Sequence, residues 1–222
     1  PGGRRAFAER IAGLDDAALE DVARAYALWC HLMNVAEERG RLLMVGHLLE
    51  YHPVVNRLRE MVAREELGKL HYVYAQRLNL GTVRGDENSM WNFAPHDISS
   101  ILYVLGRSPT DVAARGQCYL QPGIEDVVFL TLNFGDEMLA HIHVSWLDPH
   151  KIRRTTVVGS KKMLVYDDVS SLDKIRVYDK GVSVPPHYDT FGEFNLAYRY
   201  GDMLVPRLDE SEPLKVECRH FL

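Results

Sequence analysis

Several features that would mark a secreted, membrane or disulfide-stabilised protein are missing from this sequence. Three cysteines, Cys30, Cys118 and Cys218, lie far apart, form no C-x-x-C pair and leave one thiol over in any pairing. We expect them to be reduced and buried, as in cytosolic proteins. No run approaches the ~18 apolar residues of a membrane span, and the N-terminus has no apolar signal core. We therefore expect a cytoplasmic protein with no membrane partner.

Positive charge is also scarce. The 222 residues contain 26 Lys and Arg against 31 Asp and Glu, a formal net charge of −5, and no stretch is strongly basic. A nucleic-acid partner is therefore not expected. What is present is ordinary for a globular protein, with 46% hydrophobic and 26% charged residues and enough length to bury a full core.

The first 46 residues have the pattern of an α/β unit. Apolar residues recur at intervals of three or four from Asp16, a helix-capping residue type, to Gly40, which predicts one helix. The apolar run LLMV at 42–45, ended by Gly46, predicts a strand buried on both faces of a parallel sheet. We assign residues 1–46 to one domain and residues 47–222 to a second.

The second domain has the pattern of an α+β fold. Helices are predicted from Pro53 to Gly68 and from Pro95 to Gly106. Short runs with a period of two predict strands from Leu70 and near 111–119, 125–134, 137–146, 153–159, 162–167 and 173–178. Strands joined by short connections pair antiparallel. We predict an open, mostly antiparallel sheet with helices on one face, because too few helices are present to cover both.

The densest polar segment is 77–97, RLNLGTVRGDENSMWNFAPHD, between a strand and the helix predicted from Pro95. Loops of this kind are where polar side chains converge on ligands. His96 is predicted in the first helical turn, where the helix dipole favours the neutral imidazole that can take a proton from a hydroxyl group. Asn92, four residues earlier, could orient the ring or the substrate. A solvated loop with a helix-capping histidine fits the same residues, so both interpretations stay open.

Two further groups have two interpretations each. Lys151, Arg153 and Arg154 could grip the diphosphate or carboxylate of a sugar nucleotide, or they form a solvated strand end. His141 and His143 share one face of a strand at a spacing that can ligate zinc, but no cysteine or carboxylate lies in evident register. We favour a half-exposed sheet face at a dimer contact for this pair, and we expect no metal.

Four segments occur in an order that is found in one enzyme family. They are MVGHLLEYHP (44–53), NLGTVR (79–84), WNFAPHD (91–97) and SWLDPHKIR (145–153), the last followed by VGS (158–160). From about residue 33 to 222 the chain resembles the glucose–fructose oxidoreductase, inositol dehydrogenase and MocA (Gfo/Idh/MocA) family, especially enzymes that oxidise UDP-linked amino-sugar uronic acids at C3. The resemblance implies a Rossmann domain that holds NAD or NADP. It also implies a second, α+β domain. One face of the sheet in this domain would border the active site, and the other face would pair subunits.

The resemblance also implies roles for individual residues. The family's D-x-x-x-H motif falls on Asn92 and His96, which makes His96 the acid/base residue and places an amide where the family has an acid. His47 and Tyr51 would approach the nicotinamide, although hinge packing with His52 is an equal alternative. The residues expected to bind a sugar or UDP-sugar are Arg77, Asn79, Arg84, Asn88, Trp91, Lys151 and Arg153. The expected assembly is a homodimer or homotetramer.

The chain departs from the family pattern near its start. No two of its 16 glycines are separated by a single residue, so the pyrophosphate-binding fingerprint G-x-G-x-x-G is missing. Residues 1–32 contain no lysine, so the family's Glu-Lys-Pro segment is missing as well. We expect residues 1–46 to be a Rossmann remnant and the chain to be cut at both ends. The expected function is oxidation of a sugar or UDP-sugar hydroxyl by an NAD(P)-dependent dehydrogenase. The alternatives are a non-catalytic sugar-nucleotide-binding or dimerisation module and the product of an interrupted gene.

Overall fold

The structure is a computed structural model that describes residues 16–135, 137–183, 197–208 and 211–222. The chain divides into two compact units, residues 1–46 and His47–Leu222. The assignment of the first unit to a dinucleotide-binding domain stays a prediction. None of the described helices combines the length and the apolar composition that crossing a membrane requires.

The described part of the first unit is one helix, α1 (Asp16–Glu38), followed by a turn and a segment that is neither helix nor strand. Gly40 follows α1 in the left-handed conformation, with a φ of 55°, as expected of a helix stop. The strand predicted at 42–45 is wrong, because these residues belong to no helix or strand and Leu42 is 78% exposed. An apolar run becomes a buried strand only where other strands pair with it, and none of the described strands pairs with this one.

The second unit begins with a short 3-10 helix (Leu48–Tyr51). Its α-helices are α2 (Pro53–Ala63), α3 (Ser89–Leu105) and α4 (Pro213–Phe221). Its strands are β1 (Leu70–Leu78), β2 (Asp111–Gln117), β3 (Val127–Asn133), β4 (Leu139–Ser145), β5 (Ile152–Gly159), β6 (Met163–Asp167), β7 (Ile175–Ser183) and β8 (Ala197–Leu204). Helix α2 ends before the predicted Gly68, because Glu65 already adopts a left-handed φ of 54°.

Helix α3 begins earlier than predicted. Asn88 caps it, with its side-chain Oδ1 accepting a hydrogen bond from the Trp91 N–H at 3.0 Å, and Pro95 lies inside the helix rather than at its start. The capping asparagine therefore determines the start, and the missing N–H of Pro95 costs one backbone hydrogen bond within the helix. Trp91 and Asn92 are helical as a result. His96 lies well beyond the first turn, so the predicted effect of the helix dipole on it is wrong.

The eight strands form one open sheet in the order β2-β3-β4-β1-β5-β6-β7-β8. All neighbours pair antiparallel except β1 and β4, which are parallel. The predicted α+β fold with a mostly antiparallel sheet is confirmed. Strand β8 escapes sequence-based prediction because Gly201 and Asp202, both poor strand formers, interrupt its apolar pattern.

One face of the sheet carries the core. The strand register aligns buried side chains across it in rows, one of which is Leu132, Ala140, Val73, Val157, Leu164 and Val177. Helix α3 packs across β3, β4 and β1, and α2 packs against α3, so the helices cover this face. The opposite face stays partly open, and Tyr72 and Phe129 on it are 44% and 43% exposed.

The Val158-Gly159-Ser160 segment has a structural role at the end of β5. A Cβ added to Gly159 would lie 2.2 Å from the carbonyl oxygen of Leu67, so only glycine lets the turn after α2 pack here. The Ser160 hydroxyl accepts a hydrogen bond from the Lys69 N–H at 3.0 Å. This part of the family motif therefore connects α2 to the sheet and does not contact a ligand site.

The cysteines differ from expectation in their burial. All three are free, but Cys118 and Cys218 are exposed and Cys30 is half-buried. Cysteine is usually buried because it behaves as a small apolar side chain. Cys118 follows β2 at the sheet edge and Cys218 lies on the short helix α4, and neither position faces the core.

Candidate functional site

A cleft of about 410 Å³ opens on the helix-covered side of the sheet, where α3 meets β1 and β5. Its lining residues are Leu48, Leu49, His52, Arg77, Asn92, Phe93, His96, Arg153, Asp168 and Pro213. We call this space the His96 cleft. The fold therefore brings together four residues predicted from sequence, which are His96 and Asn92 of α3, Arg77 of β1 and Arg153 of β5.

Arg77 and Asp97 form a buried ion pair that borders the cleft. The Arg77 Nε donates to Asp97 Oδ2 at 2.7 Å, and Nη2 donates to Oδ1 at 3.0 Å. The two side chains are only 11% and 5% exposed. Burial acts to lower the pKa of Arg77, but the charge and hydrogen bonds of Asp97 outweigh it and raise this pKa. Arg77 is therefore charged, and the two-point contact with Asp97 fixes the guanidinium plane.

His96 remains accessible to solvent at the cleft. Its pKa is lowered, first because the surrounding protein removes part of the hydration of the ring and then because the positive charge of Arg77 is nearby. Arg153 and His47 act in the same direction, and Asp97 opposes them. The neutral form therefore predominates at pH 7, and a neutral imidazole can accept a proton. The causes of this lowered pKa are partial burial and local charge, not the helix dipole that the sequence suggested.

Asn92 lies one helical turn before His96 on the same side of α3. Its Nδ2 donates to Glu87 Oε1 at 2.8 Å, and its Oδ1 accepts from the indole Nε1 of Trp146 at 3.3 Å. Trp146 is fully buried and cannot move away. Both ends of the amide are therefore fixed, which gives the cleft a rigid polar group at the position where the family motif has an acid.

Asp168 is the centre of a polar network on the opposite wall of the cleft. It accepts hydrogen bonds from the Tyr166 hydroxyl at 3.0 Å and from Lys174 Nζ at 3.4 Å, and Arg153 Nη1 lies 3.7 Å from its other oxygen. Burial acts to raise the pKa of Asp168, but Tyr166, Lys174 and His52 together outweigh it and lower this pKa. The carboxylate is charged, yet its contact with Arg153 is too long for a hydrogen bond.

His52 has a structural role beside this network. Its Nδ1 accepts a hydrogen bond from the Val54 N–H at 3.2 Å, which caps α2, and its ring lies 5.5 Å from the Tyr166 ring. Burial lowers its pKa first, and Lys174 acts in the same direction against Asp168. These contacts favour the packing interpretation of His52.

Arg84 and Asn88 lie outside the cleft. The Nε of Arg84 lies 3.0 Å from Glu87 Oε1, the same carboxylate that binds Asn92, so Arg84 touches the site only through Glu87. Asn88 caps α3 and donates to Glu125 Oε2 at 2.7 Å. Both side chains are engaged in holding the start of α3.

Asn79, Trp91 and Lys151 also lie outside the cleft. Asn79 follows β1 and donates its backbone N–H to Ser145, and Trp91 on α3 is 67% exposed. Lys151 lines a separate pocket of about 280 Å³ with Arg154. Successive strand residues point to opposite faces, so β5 sends Arg153 to the covered face and Arg154 to the open one. The basic cluster predicted at 151–154 is therefore divided between two sides of the sheet.

His141 and His143 lie half-exposed on the open sheet face. The ring of His143 stacks on Phe129 at 4.3 Å, and the ring of His141 stacks on Tyr74 at 5.7 Å. In the part of the chain that the structure describes, no group of three or more His, Cys, Asp or Glu is placed to hold a metal ion. Aromatic packing accounts for both histidines.

Of the two residues expected near a nicotinamide, His47 directly precedes the short 3-10 helix and Tyr51 is its last residue. Tyr51 Oη forms a hydrogen bond with Nδ1 of His220 at 2.7 Å, and the two rings lie 5.7 Å apart. His47 is half-buried. Dinucleotide binding in this architecture needs a glycine-rich turn between a strand and a helix N-terminus, and the described residues contain no such turn. They do not fit NAD or NADP by themselves.

Asp97, Asp168, Tyr166 and Lys174 were not predicted as parts of the site. Asp97 directly follows His96, so its sequence position could have suggested it. Asp168 and Lys174 flank the turn between β6 and β7, which reaches the cleft only because β6 pairs with β5. No local pattern in the sequence gives that pairing.

The GFO/IDH/MocA C-terminal domain family matches residues 55–165, half of the chain. The chain belongs to this family, which confirms the resemblance seen in its motifs. A curated relative, the UDP-N-acetylglucosamine 3-dehydrogenase of Acidithiobacillus ferrooxidans, is 25% identical over 157 residues, which are 70% of this chain and 48% of the relative. The chain thus spans about half the length of the curated relative it matches.

Solved structures agree in fold. The same Acidithiobacillus ferrooxidans enzyme superposes with a TM-score of 0.61 at 22% identity, over 86% of this chain and 56% of that one. A protein of Magnetospirillum magnetotacticum MS-1 described as an oxidoreductase gives a TM-score of 0.65 at 26% identity, over 86% and 58%. An inositol dehydrogenase homologue of Azotobacter vinelandii, complexed with NADH and myo-inositol, gives 0.58 at 15% identity, over 77% and 45%. The chain therefore shares its fold with part of each of these proteins.

Proposed function

We propose that this chain is the substrate-binding domain of a nicotinamide-dependent dehydrogenase that oxidises a hydroxyl group of a sugar or sugar nucleotide. The observation that carries the proposal is a neutral, accessible His96 in a cleft bordered by the fixed Arg77–Asp97 pair. The relatives, a UDP-N-acetylglucosamine 3-dehydrogenase and an inositol dehydrogenase homologue, support a polyhydroxylated substrate.

Oxidation of an alcohol to a ketone releases one proton and one hydride. His96 takes the proton on a ring nitrogen as the general base. Asn92, whose amide is held by Glu87 and Trp146, positions a neighbouring hydroxyl of the sugar. A bound nicotinamide would accept the hydride in a dehydrogenase of this kind, and His47 and Tyr51 are the described residues predicted to approach it.

Nuclear magnetic resonance of the histidine-labelled 222-residue chain tests the binding half of this proposal. Titration with N-acetylglucosamine, UDP-N-acetylglucosamine and myo-inositol should shift the His96 ring signals saturably, because the cleft is lined by polar groups suited to hydroxyls. A His96→Asn variant assigns the signals. His71, which is exposed on β1 and outside the cleft, provides the control and should stay unchanged. Absence of any His96 shift at millimolar concentrations of all three ligands would rule the proposal out.

A further inference from the structure

The amide of Asn92 is held from two sides by groups of opposite hydrogen-bonding type. Its Nδ2 donates to Glu87 Oε1 at 2.8 Å, and its Oδ1 accepts from the indole Nε1 of Trp146 at 3.3 Å. A carboxylate oxygen only accepts hydrogen bonds, and an indole N–H only donates them. A flipped amide would place its oxygen against the carboxylate and its nitrogen against the indole N–H. Only one orientation of Asn92 therefore satisfies both partners.

Both partners of Asn92 are themselves held in place. Trp146 is fully buried directly after β4. Glu87 lies in the bend before α3 with a side chain that is 30% exposed, and its Oε1 is also 3.0 Å from the Nε of Arg84. Asn92 lines the His96 cleft, whereas Glu87 and Trp146 are not among the described residues that line it. Glu87 can therefore act on a bound ligand only through Asn92.

The fixed orientation determines what Asn92 can offer to a ligand. An asparagine amide has two N–H donors and two acceptor lone pairs on its oxygen. Glu87 uses one donor and Trp146 uses one lone pair, which leaves one of each. Asn92 can therefore donate a hydrogen bond to a ligand in the cleft, which a carboxylate in the same place could not do.

A donor at this place suits proton transfer to His96. In a sugar, the hydroxyl that reacts has neighbouring hydroxyls on the adjoining carbons. A neighbouring hydroxyl that accepts from Asn92 keeps its own O–H for the reacting oxygen, and the reacting hydroxyl donates its proton to His96. Every hydrogen bond of this chain then runs toward His96. As negative charge develops on the reacting oxygen, the neighbouring O–H stabilises it.

Asn92 and His96 are placed to hold the two ends of such a chain. They are four residues apart on α3, both line the cleft, and the Cβ atoms of residues at this spacing are about 5–6 Å apart. If position 92 presented acceptors only, the neighbouring hydroxyl would donate to it instead. The reacting oxygen would then lose its donor.

We infer that Glu87 is a positioning residue: it holds the Asn92 amide as a donor to the hydroxyl next to the one that reacts. The substrate class that fits is a vicinal diol, because the chain of hydrogen bonds needs two adjoining hydroxyls. This inference rests on the proposed function and adds to it a residue outside the cleft and a direction for each hydrogen bond.

Nuclear magnetic resonance of the ligand-free 222-residue chain tests whether Glu87 holds Asn92. An Asn92→Asp variant identifies the side-chain N–H signals of Asn92. In Glu87→Ala these signals should move toward those of free amides, because the acceptor is gone. Glu87→Gln keeps an acceptor oxygen and should retain the wild-type signals. The matched control is Glu125→Ala, which removes a carboxylate 2.7 Å from Nδ2 of Asn88 at the same helix start and should leave them unchanged.

Titration with myo-inositol and N-acetylglucosamine, followed at the His96 ring, tests the direction of the hydrogen bonds. Glu87→Ala should weaken binding about threefold, since Asn92 loses a contact that orders it. Asn92→Asp should weaken binding about tenfold, the worth of one hydrogen bond to a ligand. It should also lower the melting temperature, because two carboxyl groups then adjoin.

The double variant Glu87→Gln with Asn92→Asp separates stability from positioning. A glutamine at position 87 can donate to an aspartate at position 92, so the double variant should regain the wild-type melting temperature. It still lacks a donor toward the cleft and should bind sugars as weakly as Asn92→Asp does. Glu125→Ala should bind sugars as tightly as the wild type.

The outcomes distinguish this inference from the proposed function. If Glu87→Ala leaves the Asn92 signals unchanged, the inference is overturned whether or not a sugar binds. A double variant that binds sugars as tightly as the wild type also overturns it, while the proposed function stands. Equal weakening by Glu125→Ala and Glu87→Ala would mean that both carboxylates only hold the start of α3, which overturns it too. If no sugar shifts His96 in the wild type, the proposed function fails, and the positioning role of Glu87 fails with it.

Discussion

Arg77 of β1 and Arg153 of β5 lie directly opposite each other in the antiparallel pair β1–β5. Like charges in this position destabilise a sheet. Each arginine here has its own carboxylate, Asp97 at 2.7 Å from Arg77 and Asp168 at 3.7 Å from Arg153. The first pair is buried and tightly bonded and the second is looser, so Arg77 serves stability while Arg153 keeps donors for a ligand.

Replacing Asp97 with asparagine should lower the free energy of unfolding by about 3 to 5 kcal/mol, because it leaves the buried Arg77 charge uncompensated beside Arg153. The matched control is Glu60→Gln, which removes the exposed pair with Arg57 and should cost less than about 1 kcal/mol. Urea denaturation of the two variants measures both values. Equal, small losses would mean that the Arg77–Asp97 pair is not desolvated.

The stability of the protein should fall on mild acidification. Burial lowers the pKa values of His52, His96 and His143 below the ordinary 6.5. Below pH 6.5 the unfolded chain therefore binds protons at these positions that the folded protein does not, which favours unfolding. The lowered pKa of Asp168 adds a second loss of stability only below its ordinary 3.8.

Urea denaturation midpoints between about pH 7 and about pH 5 check the first of these losses. A His96→Gln variant should show a shallower dependence on pH than the wild type, because one of the three groups no longer titrates. A flat profile in the wild type would contradict the lowered pKa values of these three histidines.

In an intact dehydrogenase that contains this domain, His96→Ala should reduce turnover by roughly 10²- to 10⁴-fold, the usual contribution of a general base. The melting temperature should change little, because the ring is exposed to solvent. His71→Ala, another exposed histidine, is the control and should retain full activity. Unchanged turnover together with a lower melting temperature would make His96 a structural residue.

The open sheet face should pair two copies of the chain. Tyr72 and Phe129 lie there, each more than two-fifths exposed, and an uncovered apolar sheet face favours association. Light scattering at micromolar concentration should therefore give a dimer or a larger assembly. Phe129→Lys should produce monomers, whereas Leu120→Lys, in the loop after the edge strand β2, should not. A monomeric wild type would contradict this prediction, because the open sheet face would then stay exposed to water without association.

The 222-residue chain should not bind NADH with micromolar affinity. The described residues offer no glycine-rich turn at a helix N-terminus for the pyrophosphate. Titration followed by nicotinamide fluorescence should give no saturable signal. A saturable signal would show that another part of the chain binds the dinucleotide.

The sequence predicts most of the sheet because strands with one buried face have a period of two. It also predicts the meeting of His96 and Asn92, since residues four apart share a helix face. The predicted start of α3 at Pro95 is wrong. Pro95 is a stronger local signal than Asn88, but the asparagine cap determines where the helix begins. In the first unit, the strand predicted at 42–45 is wrong because the apolar pattern of a segment does not show whether a partner strand exists.

Which residues line the His96 cleft depends on the pairing of strands, and local sequence patterns do not show that pairing. Arg153 and Arg154 are adjacent, and which of them enters the cleft depends on the register of β5 against β1. Asp168 enters because β6 follows β5 in the sheet. A one-residue shift of β5 against β1 would exchange the two arginines and give a different site from the same residues.

The parallel pairing of β1 with β4 sets an order for biosynthesis. Strand β1 is made early, but its two sheet neighbours are β4 and β5, where Tyr72 meets Leu139 and Val158. As the chain leaves the ribosome, β1 must wait with its hydrogen-bonding edges open until both later strands have emerged. Such delayed, non-local closure is slow and exposes apolar edges to other chains. Expression at lower temperature or with chaperones should therefore raise the soluble yield. Substitutions in the edge strand β2 should raise it less.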